Sequence, residues 1–177
     1  MPIGFRRKNI RLHPTRYQGR EWFFITICCE DRWRVFAEGA RAQLLIDLLR
    51  STAGKFHFAV HAYCVMPDHF HALVEGVAAE SNLLSFVRNF KQMSSREYSR
   101  ATGQQLWQKK FYDHVLRVGD SPDAVSWYIW MNPVRKGICA TAFEYPLSGS
   151  FTKAWREIIQ PTETWVPAWE KWQVACP

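Results

Sequence analysis

Two histidines separated by one residue, His69-Phe70-His71, are of a type and spacing that suggest chemistry. Side chains alternate along a strand, so both imidazoles face one way and Phe70 faces the other. Same-face positions lie about 6.5 Å apart, which lets two leaning rings meet one cation. Neutral imidazole suits the middle of the divalent series, and it also holds Mn²⁺ or Mg²⁺ beside oxygen ligands. A second pair lies further on: Tyr128 and Asn132 are four apart in a run expected to be helical, so they share a face one turn apart. The Asn132 amide oxygen is then a third ligand, and the Tyr128 phenol a nucleophile toward a phosphate that the cation polarises. Free tyrosine, with a pKa near 10, needs such a cation or a base. A lone His-x-His also arises by chance, and a helical tyrosine often only packs. Spacing leaves both readings open.

The elements that must position these residues follow from pattern. Glu21 to Cys29 (EWFFITICC) is aromatic and β-branched, a buried strand. Glu38 to Ala53 carries Ala42, Leu45, Ile46 and Leu49 at helical spacing, with Gly54 as a stop. His57 to Met66 and His69 to Glu75 are strands with only Pro67-Asp68 between them, which implies an antiparallel hairpin. A long helix runs from a Ser81 cap to about Arg100, with Leu84, Val87, Phe90 and Lys91 at its inner edge. Asp113 to Val118 is a fourth strand. Ser121-Pro122-Asp123 then gives a cap, an N1 proline and a dipole-matching carboxylate to a last helix, which Pro133 limits.

The order β-α-β-β-α-β-α implies an α+β domain: a ferredoxin-like split βαβ antiparallel sheet with helices on one face. The domain is expected over residues 1–147, with a Trp-rich C-terminal extension over 148–177. That extension holds Trp155, Trp165, Trp169 and Trp172. It either packs on the domain or forms a flap that stacks bases or covers the site.

Hydrophobic residues make up 47% and charged residues 22%, a globular balance. No apolar run reaches the roughly 18 residues of a membrane helix, and no secretory signal opens the chain, so a cytoplasmic location is expected. Five cysteines, two of them adjacent, give no disulfide or CxxC framework; Cys28, Cys29 and Cys64 read as small hydrophobes. The formal charge of +7 points to a polyanionic partner. Arg6, Arg7, Lys8, Arg11, Arg16 and Arg20 all precede the first acidic residue, Glu21.

The run Met66-Pro67-Asp68-His69-Phe70-His71, followed by Tyr128-Ile129-Trp130-Met131-Asn132-Pro133-Val134-Arg135-Lys136-Gly137, resembles the REP-associated tyrosine transposases. These are relatives of the single-tyrosine (HUH) transposases of bacterial insertion sequences. Arg11-Leu12, Phe24-Ile25-Thr26, Phe90-Lys91, Leu106-Trp107-Gln108 and Tyr112-Asp113-His114 extend the likeness over roughly 10–150. The resemblance implies a metal-dependent nuclease and strand transferase acting on single-stranded DNA with a repetitive extragenic palindrome (REP) hairpin, through a 5′-phosphotyrosine link. It implies Tyr128 as nucleophile, His69 and His71 as ligands of Mg²⁺ or Mn²⁺, a monomer, and a nucleoid-associated location. Asn132 stands where the insertion-sequence relatives carry a longer glutamine, so water or a DNA oxygen can complete the ligand set.

The DNA contacts are assigned by chemistry alone. Arg88 and Lys91 are one turn apart and suit a phosphate groove. Lys109, Lys110, Arg117 and Arg135 fall at expected strand and helix edges, and Arg6, Arg7, Lys8, Arg11 and Arg16 suit a hairpin stem. Two other classes stand beside the nuclease. A non-cutting REP hairpin-binding protein would form no covalent intermediate, and a zinc hydrolase built on His-x-His would survive loss of Tyr128.

Overall fold

The computed structural model describes residues 13–168; Arg6, Arg7, Lys8, Arg11, Trp169, Trp172 and Cys176 lie outside them. The strands are β1 (Trp22–Cys28), β2 (Phe58–Met66), β3 (His69–Gly76), β4 (Tyr112–Val115) and β5 (Ser148–Gly149). The helices are α1 (Gly39–Lys55), α2 (Leu83–Thr102), α3 (Pro122–Trp130) and the short α4 (Asn132–Arg135). The sheet is antiparallel throughout, in the order β4-β1-β3-β2-β5. Its first four strands have the expected split βαβ order, and the first residues of the extension add β5 at the β2 edge.

β1 is apolar along its length except at Thr26, as suits a strand with both of its faces covered. Phe23, Ile25 and Ile27 join the core under α1 and α2, together with Leu45, Leu49, Phe86 and Phe90. Phe24, on the other face, joins Leu73, Val125, Tyr128 and Ile129. The expectation of helices on one face is therefore corrected: the two long helices share a face, and α3 covers the opposite one. A continuous apolar strand such as β1 carries no alternation that would reveal the second layer.

The β2–β3 hairpin turns at Pro67-Asp68, with Met66 opposite His69 and Val65 opposite Phe70. Pro-Asp is a weak hairpin pair, and the turn is held from outside. The Cys29 and Phe36 amides donate to the Asp68 and Pro67 carbonyls, each at 2.9 Å.

Ser121 caps α3 as expected, accepting from the Ala124 amide. Ser81 does not cap α2; Asn82 does, accepting from the Ser85 amide at 2.9 Å. The Ser81 hydroxyl instead closes the preceding turn, donating to the His57 carbonyl at 2.7 Å. Gly103 ends α2 in the left-handed region that favours glycine (φ 72°). No helix among the described residues is long and apolar enough to cross a membrane.

Candidate active site

Register builds the site. On the α3 face, one row across the sheet runs Tyr112, Thr26, His71, Cys64, and the next runs Cys28, His69, Met66. His69 and His71 are buried (7% and 4% exposed), with ring centroids 4.6 Å apart. Phe70 points into the other layer against Phe90, as strand alternation requires.

Each imidazole is oriented through its Nδ1. Asp68 Oδ1 lies 2.6 Å from His69 Nδ1, and Thr26 Oγ1 lies 2.7 Å from His71 Nδ1. Burial alone would raise the Asp68 pKa, but the hydrogen bond and charge of His69, with Arg32, outweigh it and hold the carboxyl below its usual range. An ionised carboxylate only accepts, so His69 carries its proton on Nδ1, and in the neutral ring Nε2 keeps its lone pair. Burial, then the charges of His69, Arg135 and Arg32, lowers the His71 pKa well below 6.5, so that ring is neutral at pH 7. Two imidazoles held through Nδ1 by outer partners, each with its Nε2 left to face a cation, are the donor set a divalent ion needs.

Asp68 is in turn braced by Arg32, whose NH1 lies 3.5 Å from Asp68 Oδ2 and 3.3 Å from Cys28 Sγ. Asp31 and Arg32 both have positive φ (46° and 56°), at an expected cost of roughly 1–3 kcal/mol each. This turn brings the Arg32 guanidinium back to the hairpin.

The Tyr128 ring faces the imidazoles across the same layer, its centroid 6.5 Å from that of His71 and 6.0 Å from that of Phe24. Arg135 grips Tyr128 twice: its NH2 donates to the Tyr128 carbonyl at 3.1 Å, and its guanidinium carbon lies 4.1 Å from the ring centroid. Tyr128 and Asn132 do not share one uninterrupted helix. α3 ends at Trp130, and Asn132 opens α4, with Pro133 setting the break. The Asn132 side chain folds back, its Nδ2 donating to the Tyr128 and Ile129 carbonyls at 3.2 and 3.1 Å. Two carbonyl acceptors fix the amide nitrogen on that side, which turns Oδ1 the other way. Among the described residues no third His, Cys, Asp or Glu joins the imidazoles in a metal-holding group.

The basic candidates divide. Gln108 pairs through its amide with the Cys28 carbonyl, and Cys28 lies opposite His69, so the exposed Lys109 and Lys110 follow at the site's end of the sheet. Arg117 is exposed in the loop after β4. Lys91 lies on α2, against the opposite face, where its ammonium donates to the Gln108 and Lys109 carbonyls. Lys91 thus ties down the connector. Arg88, exposed on the same helix, is not brought to the imidazoles either. Arg16 is exposed near the start of the described residues.

Sequence reasoning missed Thr26, the orienting role of Asp68, and Arg32. The signal for Thr26 was a polar residue inside an otherwise apolar strand. Burial raises the thiols of Cys29 and Cys64 to about 12, so both stay neutral hydrophobes. The extension also contributes: Trp165 sits 5.1 Å from Phe24 and 5.3 Å from Tyr128 between ring centroids, and its indole donates to Asp120 at 3.1 Å.

Fold and site together define a split-βαβ protein with a paired-imidazole strand facing a helix-borne tyrosine. The family model described as IS200-like transposase matches residues 22–132, and the chain belongs to that family. Among similar proteins is a Haemophilus influenzae protein assigned to the REP-associated tyrosine transposases, 25% identical, covering 81% of this chain and 86% of that one. The REP-associated tyrosine transposase of Escherichia coli K12 is 28% identical, covering 74% of this chain and 76% of its own length. A solved structure of a REP-associated tyrosine transposase bound to a REP hairpin shares the fold, with a TM-score of 0.60 and 23% identity, covering 83% of this chain and 82% of that one.

Proposed function

We propose that this transposase-family chain cuts and rejoins single-stranded DNA at REP hairpins, with Tyr128 as the nucleophile. The observation that carries the reading is the Tyr128 ring 6.5 Å from the neutral His71 ring, on a face where both imidazoles are oriented through Nδ1. The relatives support the substrate: two are named REP-associated, and the similar solved protein is described as bound to a REP hairpin.

His69 and His71, with Asn132 Oδ1 or a DNA oxygen, would hold Mg²⁺ or Mn²⁺, which when bound neutralises charge developing on the phosphate oxygens. The Tyr128 oxygen forms a bond to phosphorus and the bond to the 3′ oxygen breaks. The phenol proton ends on the leaving 3′-hydroxyl, and the 5′ phosphate stays on Tyr128. A 3′-hydroxyl attacking that ester reverses the step and joins strands, so no nucleotide cofactor is consumed. Arg135 fixes the Tyr128 ring and places a cation beside the developing phenolate. Lys109 and Lys110 supply phosphate contacts at the same sheet end.

The burial of Tyr128, 5% exposed with Trp165 against it, favours a second reading, a hairpin-binding protein that does not cut. Strand cleavage with 5′- and 3′-labelled hairpin DNA decides between them. The nuclease reading expects Tyr128→Phe to lose all cleavage and keep hairpin affinity within about twofold. Cleavage retained by Tyr128→Phe removes the nucleophile, and a parent chain that binds without cutting leaves the second reading.

A further inference from the structure

Beside Tyr128 the extension does not lie flush on α3. A cavity of about 180 Å³ separates them, lined among others by Trp127, Tyr128, Arg135, Gln160, Glu163 and Trp165. We propose that this cavity is a subsite for one unstacked nucleobase of the strand that Tyr128 attacks; the inference rests on the nuclease reading and names its substrate contact.

Size and chemistry agree. An apolar cavity of about 150 Å³ takes a benzene ring, so this one admits a single planar base and no base pair. Two indoles and a phenol supply ring faces and edges for stacking, which every base can use. Gln160, Glu163 and Arg135 add an amide, a carboxylate and a guanidinium. An apolar ligand has no use for those groups, and a bare phosphate has none for the indoles and is repelled by Glu163. A base uses both. The Glu163 carboxylate accepts from an exocyclic amine, which favours cytosine, or adenine, over thymine.

The wall is pre-organised. Trp165 is latched through its indole N–H to Asp120, whose other oxygen takes the Arg117 amide at 2.8 Å and His114 at 2.9 Å. Pro161 and Pro167 restrict the backbone on either side. A base seated there brings the neighbouring phosphate to the tyrosine that lines the same cavity.

The test uses the full chain and three probes: a REP hairpin with short single-stranded flanks, the hairpin without flanks, and an unstructured strand. Each flank base is replaced in turn by an abasic site. One position is expected to weaken parent binding about 5- to 150-fold, the worth of one stacked base. Trp165→Ala should lose the same factor on the intact probe and nothing further on that abasic probe. Trp165→Phe should recover most of it, and Glu163→Gln should reduce the preference for cytosine over thymine. Unchanged affinity for the unflanked hairpin reports an intact fold. Parent-like binding by Trp165→Ala, or faster cleavage by it, overturns the subsite; the faster cleavage would make the segment a cover. If the parent ignores the hairpin, the functional reading fails separately. The abasic series on the unstructured strand then decides the subsite, with no position dependence overturning it.

Discussion

Thr26→Val is the sharpest perturbation of the site that leaves every proposed ligand in place. Valine keeps the volume and the β-branch, so the strand and its packing survive. It removes the one hydroxyl 2.7 Å from His71 Nδ1, in a position where Thr26 is 1% exposed and no water can replace it. A buried imidazole nitrogen left without its hydrogen-bond partner costs about 1–3 kcal/mol, whichever of the two groups donates. At roughly 2–4 °C per kcal/mol for a chain of this size, the metal-free protein should melt about 2–12 °C lower. The second consequence is orientation. With nothing fixing Nδ1, the ring can rotate and shift tautomer, and outer-partner losses of this kind weaken metal binding about 10- to 100-fold. Mn²⁺ affinity by calorimetry, read without DNA, measures that directly. Thr26→Ser separates the two effects: it keeps the hydroxyl and loses a methyl, worth about 0.8 kcal/mol, so it should lower the melting temperature slightly and keep Mn²⁺ affinity. If Val and Ser bind Mn²⁺ alike, Thr26 serves packing only and the orientation reasoning is refuted.

Further outcomes follow from particular contacts. Gly76→Ala places a Cβ against the Gly19 carbonyl and the Ser81 side chain. It should destabilise by on the order of 3 kcal/mol in denaturant unfolding, because backbone cannot yield as a side chain can. Burial alone would raise the Asp120 pKa, but the Arg117 amide, His114 and the Trp165 indole outweigh it and hold it below its usual value. With the folded pKa depressed, its stabilising contribution is complete above about pH 3.9 and is lost as pH falls through the folded value. Acid unfolding should therefore lose less stability over that range in Asp120→Asn, and equal acid sensitivity in the two chains would contradict this. Hairpin affinity should fall with salt at a log–log slope of about −0.7 to −0.9 per phosphate contacted, and Lys109→Ala should reduce that slope by about one contact. A slope unchanged by the substitution removes Lys109 from the interface.

The sheet and the helices on its α1–α2 face were legible because local pattern carried them. Residues such as Leu45 and Leu49 repeat at helical spacing, and the strand runs lie next to punctuating residues such as Pro67-Asp68. His69 and His71 were legible for the same reason, since alternation alone puts them on one face. The second layer was not, because β1 is apolar on both sides and gives no alternation to read. The break between Tyr128 and Asn132 was half legible: Pro133 marks it, but a turn ending at Trp130 with Asn132 folding back onto α3 depends on carbonyls left open there. Ser81 lost the α2 cap to Asn82 because its hydroxyl serves the His57 carbonyl, a tertiary contact invisible to a local pattern. Thr26 pairs with His71 across 45 positions of sequence. Only the register, set by the whole sheet, brings them together.

The measurement closest to the central claim is a covalent one. The full chain is incubated with single-stranded REP hairpin DNA and Mn²⁺ or Mg²⁺, denatured, and mapped by mass spectrometry for nucleotide-bearing peptides. A 5′-phosphate adduct on Tyr128, absent in Tyr128→Phe and reversed by an added 3′-hydroxyl strand, is the expected result. Tight hairpin binding with no adduct on any residue, at metal concentrations that saturate the protein, would contradict the claim and leave a binding protein that does not cut.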